Sequence, residues 1–137
     1  MNSVTKLYAT LLFRKVQNLI DEGEYGAGDT WKHQGERWIG IDLDGTLALY
    51  DGWKGPDHIG KPIPHVAMVF RMLVSKGYLV RIFTTRAAIV NQIPPIRKWL
   101  RDNQLPEVEV TCIKAIGCIA IIDDKSISVQ TNTGQLR

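Results

Sequence analysis

The stretch that most constrains this chain is Trp38-Ile39-Gly40-Ile41-Asp42-Leu43-Asp44-Gly45-Thr46-Leu47. It starts as a short apolar run, the pattern of a strand buried on both faces. It ends in two aspartates one residue apart, followed by Gly-Thr. Side chains alternate along a strand, so residues i and i+2 point the same way. Asp42 and Asp44 are therefore expected to project together from the strand's carboxyl end. Two carboxylates so close repel unless a cation or a proton sits between them. Asp-Gly is also a common surface-turn signal, but the apolar lead-in and the downstream sequence favour a strand that ends in a site.

The rest of the chain alternates helical and strand patterns. Apolar residues Val4, Leu7, Tyr8, Leu11, Leu12, Val16, Leu19 and Ile20 predict an amphipathic helix over residues 3 to 22, capped by Ser3 and stopped by Gly23. This helix is expected to pack on the domain, with a homo-oligomer contact through it as the alternative. A Gly-rich loop over 23 to 36 leads to the strand at 37 to 42. Residues 47 to 63 hold a Gly/Pro-rich segment too irregular for a helix, and a loop of that length in a small domain is usually functional. Trp53, Lys54 and His58 lie in it as candidate substrate contacts; the alternative is that Trp53 only pins the loop to the body.

A helix is predicted over 64 to 77, with Pro64 in its first turn and Gly77 closing it. A strand follows over 78 to 83, ending at Thr84-Thr85-Arg86. Pro94-Pro95 should delay the next helix until residue 94 or 95, from where it runs to Asn103 with Arg97, Lys98 and Arg101 on a basic face. Strands are predicted over 108 to 113, followed by Lys114, and over 118 to 122, followed by Asp123-Asp124. Residues 126 to 130 are a candidate fifth strand, and Asn132-Thr133-Gly134 a turn.

This order predicts an α/β fold: a single doubly wound, Rossmann-like, mostly parallel sheet with helices on both faces. The 137 residues suit one domain, with residues 1–36 as an appended helix and loop and 37–130 as the core. The formal net charge of +3 admits an anionic ligand but, without a dense Lys/Arg block, does not indicate nucleic-acid binding. Cys112 and Cys118 form no CxxC and suit a reducing compartment. The absence of a signal-peptide pattern and of a spanning apolar run makes the cytoplasm the expected location, with no membrane partner.

In doubly wound sheets ligands bind outside the carboxyl ends of the strands. The predicted strands place Asp42 and Asp44, Thr84, Lys114, and Asp123 with Asp124 at that edge. Converging carboxylates call for a hard cation, and all-oxygen ligands select Mg²⁺ over zinc. A carboxylate beside the cation can attack phosphorus. A hydroxyl and a lysine can hold the transferring oxygens, and a second carboxylic acid can manage the proton.

On these motifs the sequence resembles the haloacid dehalogenase (HAD) superfamily, on its phosphatase side. Asp42-Leu43-Asp44-Gly45-Thr46 matches the first signature, Thr84 the second, Lys114 the third and Ile121-Ile122-Asp123-Asp124 the fourth, in family order over residues 38 to 124. It is most similar to the small HAD-like hydrolases of bacteria and phages, down to Asp51-Gly52-Trp53 and Asn132-Thr133-Gly134. The resemblance implies a Mg²⁺-dependent phosphate monoester hydrolase acting through an aspartyl-phosphate. Asp42 is then the nucleophile and a metal ligand. Asp44 is the general acid/base with its backbone carbonyl on the metal. Thr84 binds the phosphoryl group, with Thr85 as the competing hydroxyl. Lys114 balances the charge, with Lys125 as a competing lysine out of family order. Asp123 and Asp124 complete the metal site.

The spacing leaves no room for a large cap domain, so the site should be open unless the 47–63 loop, the N-terminal helix or another subunit covers it. An open site suits a large phosphorylated partner, such as a polynucleotide or protein end, or a small one enclosed by a neighbour. A dehalogenase reading is opposed by Asp44, an acid that halide departure does not need. A non-catalytic binding module on the same fold is the remaining alternative.

Overall fold

A computed structural model describes residues 2–27 and 36–137. Helix α1 (Ser3–Ala27) precedes strand β1 (Trp38–Ile41). Then come α2 (Pro64–Ser75), β2 (Val80–Phe83), α3 (Ile93–Asp102), β3 (Val110–Thr111) and β4 (Cys118–Ile122). The sheet is four-stranded in the order β3-β2-β1-β4, and each neighbouring pair is parallel. This is the α/β architecture that the alternation of patterns predicts. The register sets Ile41 beside Ile82 and Ile122, so β1, β2 and β4 end at nearly one level.

Each element follows from its local sequence. Pro64 sits at the start of α2, where a missing N–H costs nothing. Gly77, at φ +89, turns the chain after it. Pro94-Pro95 falls in the first turn of α3, and two short 3₁₀ turns over Thr85–Ala88 and Val90–Gln92 bridge from β2. Helix α1 runs beyond Gly23, the expected stop, to Ala27. Most of the predicted 23–36 loop lies outside the described residues. β3 is shorter than the apolar run suggested. Residues 126 to 130 form no sheet strand; Val129 makes one isolated antiparallel bridge to Leu136.

The main core lies on one face of the sheet. Ile39, Ile41, Val80, Ile82 and Val110 share it with Val16 and Ile20 of α1, with Val69, Phe70 and Leu73 of α2, and with Ile96 and Leu100 of α3. The expectation of helices on both faces is therefore not met among the described residues. The physical reason is the short link from β3 to β4. Residues 112 to 117 pass from one edge of the sheet to the other, and their length leaves no room for a helix. They run over the face bearing Trp38, whose indole N–H donates to Ala115 O at 3.3 Å. Trp38 is fully buried there, against Phe83 and the Arg81 guanidinium. Gly40 fits because a Cβ at that point would lie 3.0 Å from the Trp38 ring. Among the described residues no helix is long and apolar enough to cross a membrane.

Candidate active site

The chain leaves β1 through a tight turn. The N–H groups of Leu47 and Ala48 both donate to Leu43 O, at 3.0 and 2.9 Å, and Gly45 N–H donates to Ala48 O at 2.8 Å. Leu43 and Leu47 are buried under the turn, which leaves Asp42, Asp44 and Thr46 to the sheet's carboxyl edge. Asp42 N–H donates to Ile122 O at 2.9 Å and so fixes the end of β1 beside the end of β4. That bond is why Asp42 meets Asp123 and Asp124, some eighty positions away in sequence.

Thr46 joins the two ends. Its hydroxyl lies 3.2 Å from Asp42 Oδ2 and 3.1 Å from Asp124 Oδ1, and it accepts from Asp124 N–H at 3.0 Å. One oxygen each from Asp42, Asp123 and Asp124 fall within 4.8 Å of one another. Gly45 makes room for this group. It has φ +88, and a Cβ on it would lie 2.7 Å from Asp124 Oδ2.

Crowding changes the proton affinity of Asp42 and Asp124. Burial, a hydrogen bond with Asp124 and repulsion from Asp123 push the Asp42 carboxyl up to about 7, against a smaller opposing effect of Thr46. For Asp124, burial alone would raise the carboxyl, but hydrogen bonds from Asp42 and Thr46 outweigh it and hold the group below the usual range. Of the two, Asp42 therefore holds a proton more readily than Asp124.

Asp44 is aimed elsewhere. Its two carboxylate oxygens accept from Arg86 Nη2 at 2.9 Å and Nε at 2.8 Å, a bidentate pair. Arg86 is only 5% exposed. It also donates to Pro56 O at 3.3 Å and His58 O at 3.0 Å, and its guanidinium lies 4.7 Å from the Trp53 ring centroid. One buried cation thus ties Asp44, the end of β2 and the 47–63 loop together. The loop is closed at its base, where Leu49 N–H donates to Lys61 O and Ile63 N–H to Leu47 O. Gly60 is needed at that base, since a Cβ there would lie 2.1 Å from Leu49 O.

These groups surround a cleft of about 280 Å³ lined by Asp42, Asp44, Tyr50, Trp53, Thr84, Thr85, Arg86, Asp123, Asp124 and Lys125. Of the residues predicted for the site, Asp42, Asp44, Thr84, Asp123 and Asp124 are brought together. Thr84 is buried and its oxygen accepts from Arg86 N–H at 3.2 Å, which leaves its proton to point elsewhere. Thr85 is exposed and also lines the cleft.

Lys114 is not brought to this cleft. It lies in the link from β3 to β4 and lines a separate hollow with Leu19, Cys118 and Arg137. The lysine that lines the acidic cleft is Lys125, directly after the Asp123-Asp124 pair. His58 contributes its backbone carbonyl rather than its ring. Asp44, expected at the metal through its backbone carbonyl, has its carboxylate turned to Arg86. Arg86 and Thr46 were not singled out by sequence reading, although both sit inside the motifs that were.

All donors in the Asp42-Asp123-Asp124 group are carboxylate oxygens, which suits a hard divalent cation such as Mg²⁺. Comparison of the chain with protein-family models, with curated proteins and with solved structures finds no match in any of the three.

Proposed function

We propose that this chain is a Mg²⁺-dependent phosphate monoester hydrolase of the HAD type, with Asp42 as the nucleophile. The observation that carries the proposal is the convergence of Asp42, Asp123 and Asp124 at adjacent strand ends, with Thr46 between them and Gly45 leaving the space. The resemblance drawn from Asp42-Leu43-Asp44-Gly45-Thr46 gives the same reading. A HAD-like parallel sheet remains part of this proposal, with the 112–117 link on its second face instead of a helix.

Asp42, Asp123 and Asp124 would hold the cation, which would offset their mutual repulsion and the negative charge of a phosphate. As a carboxylate, Asp42 attacks phosphorus while the ester P–O bond breaks, forming the aspartyl-phosphate and releasing the alcohol, and water then hydrolyses the aspartyl-phosphate to free phosphate and Asp42. Thr84 or Thr85 and Lys125 donate to the phosphoryl oxygens from the cleft wall. Asp44 handles the proton of the leaving oxygen and then of the attacking water. Before it can act as the acid, Arg86 must release at least one of its two oxygens. This is the one point that favours the second reading, a binding module on the same fold with its acid permanently engaged.

The test is turnover of an aryl phosphate by the purified protein with Mg²⁺, with chelator, and in Asp42→Asn. Hydrolysis that needs both Mg²⁺ and Asp42 supports the proposal. Mg²⁺ binding with no hydrolysis across a broad panel of phosphate esters would replace it with the binding module.

A further inference from the structure

The cleft is small for a whole substrate. Its volume of about 280 Å³ is at or below the roughly 300–1,000 Å³ of ordinary small-molecule sites. With four carboxylates and two cations at its floor and walls, it is furnished for the phosphoryl end. The remainder of the ester must lie at the mouth, where two of the lining residues are aromatic. Tyr50 is 47% exposed and Trp53 is 54% exposed.

Trp53 is also held in place. It stands between Gly52 at φ +115 and Gly55 at φ +100, two backbone conformations that shape the tip of the loop. Lys54 pairs with Asp51 at 2.9 Å beside it. The buried Arg86 guanidinium backs the indole and is itself fixed by Asp44 and two loop carbonyls. An indole that only anchored the loop would be expected to lose most of its surface to the body. Here more than half remains exposed, with a buried guanidinium behind the ring, beside the acidic cleft.

We propose that Trp53, with Tyr50, is a stacking platform for a nucleobase, and that the substrates are nucleoside phosphates, either free mononucleotides or the phosphorylated ends of polynucleotides. This rests on the phosphatase reading of the same cleft. The shared chemistry is a base next to a terminal phosphate. Base–aromatic stacking is sequence-tolerant because every base has a π face. The Arg86 cation behind the indole enforces its orientation without contacting the base.

The experiment compares kcat/KM, with Mg²⁺, for adenosine 5′- and 3′-monophosphate, for 5′- and 3′-phosphorylated oligonucleotides and for ribose 5-phosphate, which lacks the base. The platform predicts that one of the base-bearing classes exceeds ribose 5-phosphate, and the faster class identifies the source. In Trp53→Ala that ratio should fall by about 5- to 150-fold, the range set by stacking on one aromatic ring. Trp53→Phe should restore much of it. A wild-type ratio near one, or a Trp53→Ala variant that slows all substrates in equal proportion, overturns the platform and leaves Trp53 as a loop anchor. Failure of the phosphatase reading looks different: no ester of the panel is hydrolysed. In that event calorimetric binding of adenosine monophosphate against ribose 5-phosphate, in wild type and Trp53→Ala, still decides on the platform.

Discussion

Replacing Asp42 by Asn should make the metal-free protein more stable above neutral pH while removing its activity. In the folded chain burial, Asp124 and Asp123 raise the Asp42 carboxyl from 3.8 to about 7. A folded-state value above the unfolded one means that the native state binds the proton more tightly. The Asp42 contribution to stability is then greatest below about pH 4, falls as pH rises between about 4 and 7, and stays low above that. The full shift corresponds to about 4 kcal/mol at 1.36 kcal/mol per unit. Asp42 is only half-buried, so solvent screening reduces this to about 2 kcal/mol. Asn has nearly the same shape, keeps an oxygen to accept from Thr46, and carries no charge. Urea unfolding in chelator should place Asp42→Asn about 2 kcal/mol above wild type at pH 8, with the two converging near pH 4. For a chain of this size that is a rise in Tm of roughly 5–10 °C. Saturating Mg²⁺ should reverse the order, because it stabilises wild type by about 2.7 kcal/mol at one hundred times its Kd. Equal stabilities at pH 8 in chelator would refute the reasoning, since the carboxylate group would then not be under mutual repulsion.

Four other substitutions test particular contacts. Lys125→Ala should lower kcat/KM on an aryl phosphate by roughly 100- to 1,000-fold, the scale of losing one charge-stabilising donor, and Lys114→Ala by much less; the reverse order would return the role to Lys114. Arg86→Ala, which strands Asp44 and two loop carbonyls, should cost about 3–5 kcal/mol in thermal or urea unfolding and increase proteolysis within residues 50–60. Gly45→Ala places a Cβ against Asp124 Oδ2 at a positive φ and should weaken Mg²⁺ binding measured by calorimetry, with a stability loss of about 1–2 kcal/mol.

The parts of this architecture that sequence reading found are those set by local pattern. β4 is a continuous apolar run and was placed at its observed limits. β1 ends where its aspartates begin, because a charged pair cannot continue into the core. Thr84 and Asp123 followed from the same logic at their own strand ends. What was missed depends on partners far apart in the chain. Nothing near Arg86 reveals that it will meet Asp44, 42 positions earlier, or the carbonyls of Pro56 and His58. The available signal was an arginine directly after a predicted strand end, at the same sheet edge as the aspartates. Lys114 was assigned from motif order. Its displacement follows from the crossing path of residues 112–117, which is visible only once β3 and β4 are known to be opposite edges. The same path explains why the second face of the sheet has no helix.

The central claim is that Asp42 forms a covalent bond to phosphorus. Its most direct test is mass spectrometry of acid-quenched protein after brief mixing with Mg²⁺ and an aryl phosphate. The account predicts a phosphoryl adduct on the peptide containing Asp42, labile to hydroxylamine and absent in Asp42→Asn. Phosphate release by wild type under conditions that trap an adduct elsewhere on the chain, or continued release by Asp42→Asn, would contradict it.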